Sequence, residues 1–372
     1  MFFSSLPGFF RWLVLPRHAG SNDNCPGRGV NVRRGAEITN PVTVVVNANA
    51  RLHLGFFDPD ATLGRQFGSL GMSVSDIDVE VEVSFCRKQA LQTSGEDAPR
   101  ADAIARALAE HYGTTPDVSI TVDRSIPAHV GLGSGTQLSL ALGTALTTLW
   151  GIEATTAEIA GVLSRGARSG IGIGLFERGG FVLDGGRGEN TTSPPVIGQV
   201  AVPEGWRVLL FSDSSRCGLS GDAERAAFKR LPEFGRERAA RLCHLGLMGA
   251  LPALHESDFG AFSYAIGEIQ QEIGDHFSAV QKNHFSSPLV GEAVEYCAAE
   301  FGYSGRGQSS WGPTGFVFVP NHELAAEAMA ATQARFANSP ERGDLSVMCA
   351  RPNNRPADIR VTQALQGERV SG

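Results

Sequence analysis

A glycine-rich segment at residues 127–137 constrains the fold of this chain more than any other feature. It reads Pro-Ala-His-Val-Gly-Leu-Gly-Ser-Gly-Thr-Gln and lies between a β-rich run at 118–122 and an apolar helical pattern that begins near Thr136. Closely spaced glycines let a backbone turn and approach a ligand, and the amide groups at the start of a helix attract phosphate. The segment therefore predicts a phosphate-binding loop between a strand and a helix.

Two common phosphate loops do not fit this segment. A Walker A loop needs a lysine beside its glycines, and the chain carries lysine only at positions 88, 229 and 282. The dinucleotide fingerprint fails because its third glycine is missing. A different phosphate loop, or a tight turn capped by a hydroxyl group, is left. The candidate ligand-binding residues of the loop are Pro127, Gly131, Leu132, Gly133, Ser134, Gly135 and Thr136.

Composition limits the partners of the chain. Its 372 residues are 42% hydrophobic and carry a formal net charge of −7, which leaves no broad basic surface for nucleic acid or an anionic membrane. All but three of the 32 basic residues are arginine, whose planar guanidinium suits phosphate and carboxylate groups. The cysteines are scattered, and no apolar run is long enough to span a bilayer. We expect a cytoplasmic protein that binds its anions locally.

The patterns along the chain predict two folded domains after an extension. Residues 1–38 read as a flexible extension, 39–200 as an N-terminal phosphate-binding domain and 201–372 as a C-terminal α+β domain. Proline-containing residues 190–202 read as the linker between the two domains.

Three further segments carry candidate site residues. The first, at 49–58, reads Asn-Ala-Arg-Leu-His-Leu-Gly-Phe-Phe-Asp; the second covers 167–186, and the third, at 305–316, contains Gln-Ser-Ser-Trp-Gly-Pro-Thr-Gly. Each has an ordinary alternative, since charged residues often lie on a solvated face and Gly-Pro-Thr-Gly also suits a turn that enters a strand. Their candidate residues are Arg51, His53, Arg168, Ser169, Ser309, Ser310, Gly312 and Thr314.

In this order the segments resemble the motifs of the GHMP kinase superfamily. Residues 127–134 match its central motif, Pro-x-x-x-Gly-Leu-Gly-Ser-Ser, except that Gly135 stands in place of the second serine. The segments at 49–58 and 305–316 resemble its first and third motifs. The resemblance implies an α+β, two-domain GHMP-kinase-like fold, with an N-terminal mixed α/β domain and a ferredoxin-like C-terminal α+β domain.

One position separates this chain from the kinases of that superfamily. Mevalonate-kinase-like members read Ser-Gly-Ile-Asp where this chain reads Ser-Gly-Ile-Gly, so that Gly172 replaces the catalytic base. A glycine accepts no proton. Taken together, the segments at 51–58, 127–137, 168–186, 218–224 and 307–316 instead resemble the β-ribofuranosylaminobenzene 5′-phosphate synthases of methanopterin biosynthesis.

That resemblance implies a transfer from 5-phosphoribosyl 1-diphosphate to a 4-aminobenzoate or 4-hydroxybenzoate ring, with loss of diphosphate and carbon dioxide. It implies that the glycine loop binds the diphosphate with Mg²⁺, and Glu177 and Asp184 are the candidate metal ligands. Arg51 or Arg168 would pair with the benzoate carboxylate or the 5-phosphate, and His53 would polarise the ring substituent. We also expect a homodimer. An ATP-dependent small-molecule kinase and a non-catalytic ligand-binding protein are the alternatives.

Overall fold

The computed structural model describes residues 42–218, 221–339 and 344–363. The extension expected at residues 1–38 lies outside these ranges. None of the helices in the described part is both long and apolar enough to cross a membrane.

The first sheet is built on two long antiparallel strands, β1 (Val42–Asp58) and β2 (Phe67–Phe85). Val44, Val46 and Ala48 are fully buried and alternate with partly exposed residues, so the start of β1 has one face towards the core. The other described strands of this sheet are β3 (Gln92–Gly95), β4 (Val118–Arg124), β5 (Phe181–Asp184), β6 (Val196–Val200) and β11 (Asp358–Gln363).

Four helices accompany the first sheet, and α2 has the most buried residues among them. They are α1 (Ala98–Tyr112), α2 (Ser134–Trp150), α3 (Thr156–Val162) and α4 (Ile171–Arg178). Helix α3 begins with a capping box: Thr155 Oγ1 accepts from the Glu158 amide at 3.1 Å, and Glu158 Oε2 accepts from the Thr155 amide at 2.7 Å. Helix α2 contacts both β1 and β2, so the start of α2 is fixed against the long strands.

The second sheet is antiparallel, in the order β10-β7-β9-β8. Its strands are β7 (Arg207–Asp213), β8 (Arg306–Gln308), β9 (Gly315–Val319) and β10 (Leu345–Ala350). The helices of this part are α5 (Gly221–Phe228), α6 (Arg236–His244), α7 (Leu251–Glu256), α8 (Phe259–Gln281), α9 (Pro288–Phe301) and α10 (His322–Phe336), with a π-helical segment, Leu245–Ala250, between α6 and α7.

The predicted α+β fold class is confirmed by this architecture. The domain boundary near residue 200 stays a prediction. Two details differ from the expectations. Residues 190–202 are not only a linker, because Val196–Val200 forms β6 and pairs with β5. Strand β11 returns from the second part of the chain and pairs with β1 in the first sheet.

Candidate active site

Three of the segments singled out in the sequence meet at the start of α2. The Arg51 amide donates to the Leu132 carbonyl at 3.1 Å, which fastens β1 to the glycine loop. The His53 amide donates to Ser309 Oγ at 3.0 Å, and Ser309 Oγ donates to the Gly131 carbonyl at 2.7 Å. The side chain of Ser309 thus joins the first motif, the glycine loop and the third motif.

A cleft of about 280 Å³ opens at this junction. Its walls come from β1, the glycine loop, the third motif, α5 and the residues around α1 and α3. It is lined by Arg51, Arg100, Ala128, His129, Gly131, Gly133, Ser134, Gly135, Thr136, Arg165, Gly221, Glu224, Ser310, Trp311 and Gly312.

The glycine loop has a backbone that other residues adopt only with strain. Gly131 and Gly133 have φ angles of +91° and +83°. A Cβ on Gly131 would lie 2.3 Å from the Ser309 carbonyl oxygen, and one on Gly133 would lie 2.9 Å from Arg51 Cγ. Helix α2 begins after Gly133 without a side-chain cap. The two glycines therefore let the loop pack closely against the third motif and Arg51. The first amide groups of α2, which no side chain caps, are left for a ligand.

Arg51 lies half-buried in the cleft. Its Nη1 donates to the Gly131 carbonyl at 2.6 Å. Burial lowers the pKa of the guanidinium to about 10, and the negative charge of Glu224 opposes that shift. Arg51 therefore stays protonated at neutral pH and supplies a positive charge beside the loop.

His53 is almost fully buried, with 4% of its surface exposed. Its Nδ1 accepts from the Gly55 amide at 3.2 Å, so the neutral ring carries its hydrogen on Nε2, and Nε2 has no partner. Burial, and then the positive charges of Arg51 and Arg168, hold the pKa of His53 well below its usual value. The site thus contains a neutral imidazole with an unsatisfied N–H donor.

Arg168 and an aromatic group lie next to this histidine. Arg168 Nη2 pairs with Glu224 Oε2 at 2.7 Å, and the guanidinium lies 5.0 Å from the centre of the Phe228 ring. The Phe228 ring lies 5.8 Å from Phe56 and 5.4 Å from Trp311, and Phe56 lies 4.5 Å from the His53 ring. The Nε1 donor of Trp311 is also buried without a partner. The group therefore packs apolar rings together with unpartnered N–H donors, and of its members Trp311 lines the cleft.

Ser169 and Asp184 form a separate hydrogen-bonded group that does not line the cleft. Asp184 Oδ2 accepts from Ser69 Oγ, from Ser169 Oγ at 3.2 Å and from the Gly170 amide at 2.9 Å. Its Oδ1 accepts from the Gly186 amide at 2.9 Å. Burial raises the pKa of this carboxyl group, while the hydrogen bonds oppose the rise. Asp184 thus positions the segment that leads into α4.

The two predicted metal ligands are not brought together. Glu177 lies on the exposed end of α4 and accepts from Thr156 Oγ1, whereas both oxygens of the buried Asp184 are occupied by protein donors. Neither side chain lines the cleft. Across residues 42–218, 221–339 and 344–363, no three His, Cys, Asp or Glu side chains are grouped as metal ligands. The residues present therefore do not fit a protein-held Mg²⁺ ion at the predicted position.

Gly172 is buried in α4 and faces α2 rather than open space. A Cβ at this position would lie 2.9 Å from Thr136 Cγ2. The Gly172 carbonyl accepts from Gln137 Nε2 at 3.1 Å. The start of α2 therefore covers the place where kinases of the superfamily carry their catalytic aspartate.

The remaining predicted residues divide between the cleft and its support. Ser310 lines the cleft with a φ of +58°, and its amide donates to the His53 carbonyl at 3.3 Å. A Cβ on Gly312 would lie 2.2 Å from the Val130 carbonyl oxygen. Thr314 Oγ1 is buried without a partner. Among the loop residues, Leu132 is buried, while Pro127 is exposed and lies outside the cleft.

Sequence reasoning missed two arginines of the cleft, Arg100 and Arg165. Arg100 lies on α1, and Arg165 follows α3. The available signal was Gly135, the departure from the superfamily motif, because its missing side chain leaves room beside both guanidinium groups.

Comparison with known proteins identifies the family of the chain. Residues 100–176 match the family of GHMP kinases N terminal domain. A β-ribofuranosylphenol 5′-phosphate synthase of Methanothermobacter thermautotrophicus is 30% identical over 292 residues, which cover 73% of this chain and 87% of the relative. The enzyme of that name from Archaeoglobus fulgidus is 30% identical over 286 residues, with the same coverage of 73% and 87%.

A solved structure shares the fold at low sequence identity. The homoserine kinase of Cytophaga hutchinsonii superposes with a TM-score of 0.60 and 16% identity, over 88% of this chain and 99% of the kinase. At this identity the likeness concerns the fold alone. The two archaeal relatives go further, and the chain belongs to the family of β-ribofuranosylphenol 5′-phosphate synthases, within the GHMP kinase superfamily.

Proposed function

We propose that the protein transfers the ribosyl 5-phosphate group of 5-phosphoribosyl 1-diphosphate to the ring of a 4-substituted benzoate. The ring carbon that bears the carboxylate donates an electron pair to the anomeric carbon, and the anomeric C–O bond breaks with its electrons going to diphosphate. The ring then loses carbon dioxide, and the C–C electron pair restores aromaticity. Atoms and charges balance without removal of a ring proton. The name of the relatives, which specifies a phenol, favours 4-hydroxybenzoate over 4-aminobenzoate.

The observation that carries this proposal is an arginine-rich cleft without a free carboxylate base. Glu224 is the carboxylate that lines the cleft among the described residues, and it is paired with Arg168. The position of the kinase base holds Gly172, which Thr136 covers. Phosphorylation of an alcohol commonly uses such a base. Loss of diphosphate from the donor needs positive charge instead, and the cleft is rich in arginine.

The donor is proposed to bind along the glycine loop. The positive φ angles of Gly131 and Gly133 turn the backbone into the start of α2, whose uncapped amide groups attract negative charge. Arg51 stands beside Gly133 and adds a charged side chain. Binding here would hold the diphosphate while its negative charge grows in the transition state.

The aromatic acceptor is proposed to bind beside the ring cluster of Phe56, Phe228 and Trp311. His53 Nε2–H would donate to the oxygen at ring position 4, since it is a buried donor without a partner. Arg168 would pair with the benzoate carboxylate in exchange for Glu224, because a guanidinium and a carboxylate form two parallel hydrogen bonds. These contacts would hold the ring carbon in line with the anomeric carbon.

We propose that Mg²⁺ takes part as a complex with the diphosphate of the donor. Glu177 and Asp184 do not form a metal site in the protein, and diphosphate oxygens are ligands that Mg²⁺ prefers. The metal would neutralise charge on the donor. Cytoplasmic location and a homodimer stay predictions.

The test is to incubate the purified protein with 5-phosphoribosyl 1-diphosphate, Mg²⁺ and either 4-hydroxybenzoate or 4-aminobenzoate. We expect benzoate-dependent release of diphosphate and carbon dioxide in equal amounts, with 4-hydroxybenzoate the better acceptor. A parallel incubation with labelled ATP and mevalonate, homoserine or galactose should show no transfer. Diphosphate release without carbon dioxide, or efficient phosphorylation of an alcohol, would contradict the proposal.

A further inference from the structure

Two arginines outside the predicted motifs lie beside the first turn of α2. A methyl group placed on Gly135 would lie 3.4 Å from Arg165 Nη1 and 3.6 Å from Arg100 Nη2. The two guanidinium groups thus approach one point, although one arginine lies on α1 and the other follows α3. Both line the cleft. An anion at this point would contact both groups.

The protein itself only partly neutralises this charge. Arg100 Nη1 pairs with Asp97 Oδ2 at 2.9 Å. Arg165 Nε donates to Ser139 Oγ at 3.3 Å, and in the described part of the chain no carboxylate pairs with Arg165. Burial, and then the charge of Arg100, lower the pKa of Arg165. The two positive guanidinium groups repel each other. A bound anion would attract both of them and so offset this repulsion.

The backbone at the same point adds to the attraction. Helix α2 is 17 residues long and begins at Ser134 without a side-chain cap, so its first amide groups and its dipole favour an anion. Gly135 has no side chain between these amide groups and the two guanidiniums. The serine that the superfamily motif carries here would occupy part of that space.

We propose that Arg100 and Arg165 bind the diphosphate of the donor against the first turn of α2, through the space left by Gly135. This inference rests on the proposed function and adds two binding residues to it. Diphosphate carries several negative charges, which matches two guanidiniums and a helix N-terminus better than a single phosphate does. Both arginines would also stabilise the charge that diphosphate gains as the anomeric bond breaks.

The experiment is calorimetric titration of the full chain with inorganic diphosphate, for wild type and for Arg165→Met, Arg165→Lys and Arg100→Met. We expect at least tenfold weaker binding for both methionine variants. The lysine variant should fall between them and wild type, because lysine keeps the charge and loses the two-pronged contact. The matched control is Arg106→Met, which removes an exposed arginine from α1 that pairs with Asp102. Its affinity should equal that of wild type.

Arg100→Met also removes the ion-pair partner of Asp97. A variant at Gly135 therefore provides a second test, at the space between the two arginines. Gly135→Val keeps both charges and fills that point, so it should weaken diphosphate binding at least tenfold while thermal unfolding stays cooperative. Wild-type affinity in both Arg165→Met and Gly135→Val would overturn the assignment. It would also be overturned if Arg165→Met lost affinity for ribose 5-phosphate and kept its affinity for diphosphate.

The same variants separate this inference from the proposed function. If wild type binds diphosphate, the variants do not, and no benzoate-dependent turnover occurs, the anion site stands and the proposed function fails. If wild type turns over and Arg165→Met has an unchanged KM for the donor, the proposed function stands and the anion site is overturned.

Discussion

At the scale of single residues, His53 is suited to donate a hydrogen bond and unsuited to accept a proton. Its Nδ1 accepts from the Gly55 amide, which places the ring hydrogen on Nε2. Burial and two nearby arginines disfavour a second proton. A fixed neutral donor of this kind suits a reaction that moves electron pairs between carbon atoms and needs no general base.

The neutral state of His53 predicts a loss of stability in acid. The unfolded chain binds a proton at this histidine below about pH 6.5, while the folded chain does not until a much lower pH. The free energy of unfolding should therefore fall as the pH drops through 6.5, by about 1.4 kcal/mol in total for this group between pH 7.5 and pH 5.5. His276, whose pKa burial also lowers, should add a loss of the same sign. Urea denaturation at pH 7.5 and pH 5.5 measures the sum.

The contribution of His53 is isolated by His53→Asn, whose amide oxygen can still accept from the Gly55 amide. Between pH 7.5 and pH 5.5 this variant should lose less stability than wild type by at least 1 kcal/mol. The exposed His322 provides the control, since His322→Asn should keep the wild-type difference. Equal pH dependence in wild type and His53→Asn would show that the buried ring binds a proton as readily as it does in the unfolded chain.

At the scale of elements, the contact between α4 and α2 decides what the glycines of α4 do. Gly172 lies against Thr136 of α2, where a Cβ would be 2.9 Å from Thr136 Cγ2. A Cβ on Gly174 would lie 3.0 Å from Val182 and 2.6 Å from Val196. These two glycines allow close packing of a helix on its neighbours rather than approach of a ligand.

This packing predicts that Gly172→Asp does not restore kinase chemistry. The new carboxylate would be buried against Thr136 and would displace the start of α2, so we expect a loss of about 2 to 5 kcal/mol of stability. Benzoate-dependent diphosphate release should fall at least tenfold, and no transfer from ATP should appear. Denaturation and both activity assays give these values.

Gly172→Ala is the matched control for the charge, because it adds the same Cβ without a carboxylate. It should lose about 1 to 3 kcal/mol, less than the aspartate variant, and keep more of the synthase activity. An aspartate variant as stable as the alanine variant, or one that gains phosphorylation of an alcohol, would show that position 172 opens into the cleft.

The sequence predicts best those helices whose start and end signals lie in the residues directly beside them. Helix α9 is an example, because Ser287 caps it, Pro288 starts it and Gly302 ends it in a left-handed conformation. Helix α4 was not anticipated, because Gly170, Gly172 and Gly174 weaken any helical signal. Its stability comes from packing against α2 and β5, which a local pattern does not contain.

The candidate site also combines features that a local sequence pattern marks with features that depend on packing. The three motifs meet at the start of α2, and each is visible in the sequence because glycines and hydroxyl groups at fixed spacing describe local backbone shape. Arg100 and Arg165 are far apart in sequence and sit in ordinary helical and loop contexts, so nothing local marks them. Their approach to Gly135 follows only from the packing of α1 and α3 against α2.

At the scale of the whole molecule, the first and the last described strands of the chain belong to the same sheet. Strand β11 pairs antiparallel with β1, from Val42 opposite Gln363 to Asn47 opposite Asp358. Before it, the Asn353 carbonyl accepts from the Gly180 amide at 2.7 Å, and Asn354 Oδ1 accepts from the Val202 amide at 2.8 Å. The last described residues therefore fasten the second part of the chain to the first sheet and cover the edge of β1.

This return predicts what a truncation after residue 356 would do. It removes β11, so the edge of β1 loses its backbone partners and presents valine-rich strand to solvent. Ile359 and Val361 are 46% and 54% exposed, so the loss is mainly of backbone hydrogen bonds, and we expect about 2 to 5 kcal/mol. Truncation after residue 363 keeps every pairing of β11 with β1 and is the control.

The cleft is built from residues up to Gly312, so diphosphate affinity should stay within threefold of wild type in both truncated chains at 15 °C. Urea denaturation should separate the two chains, and light scattering should show aggregation only in the shorter one. Equal stability of the two would mean that β11 contributes nothing to the first sheet, and lost diphosphate binding in the shorter chain would mean that the cleft depends on this edge.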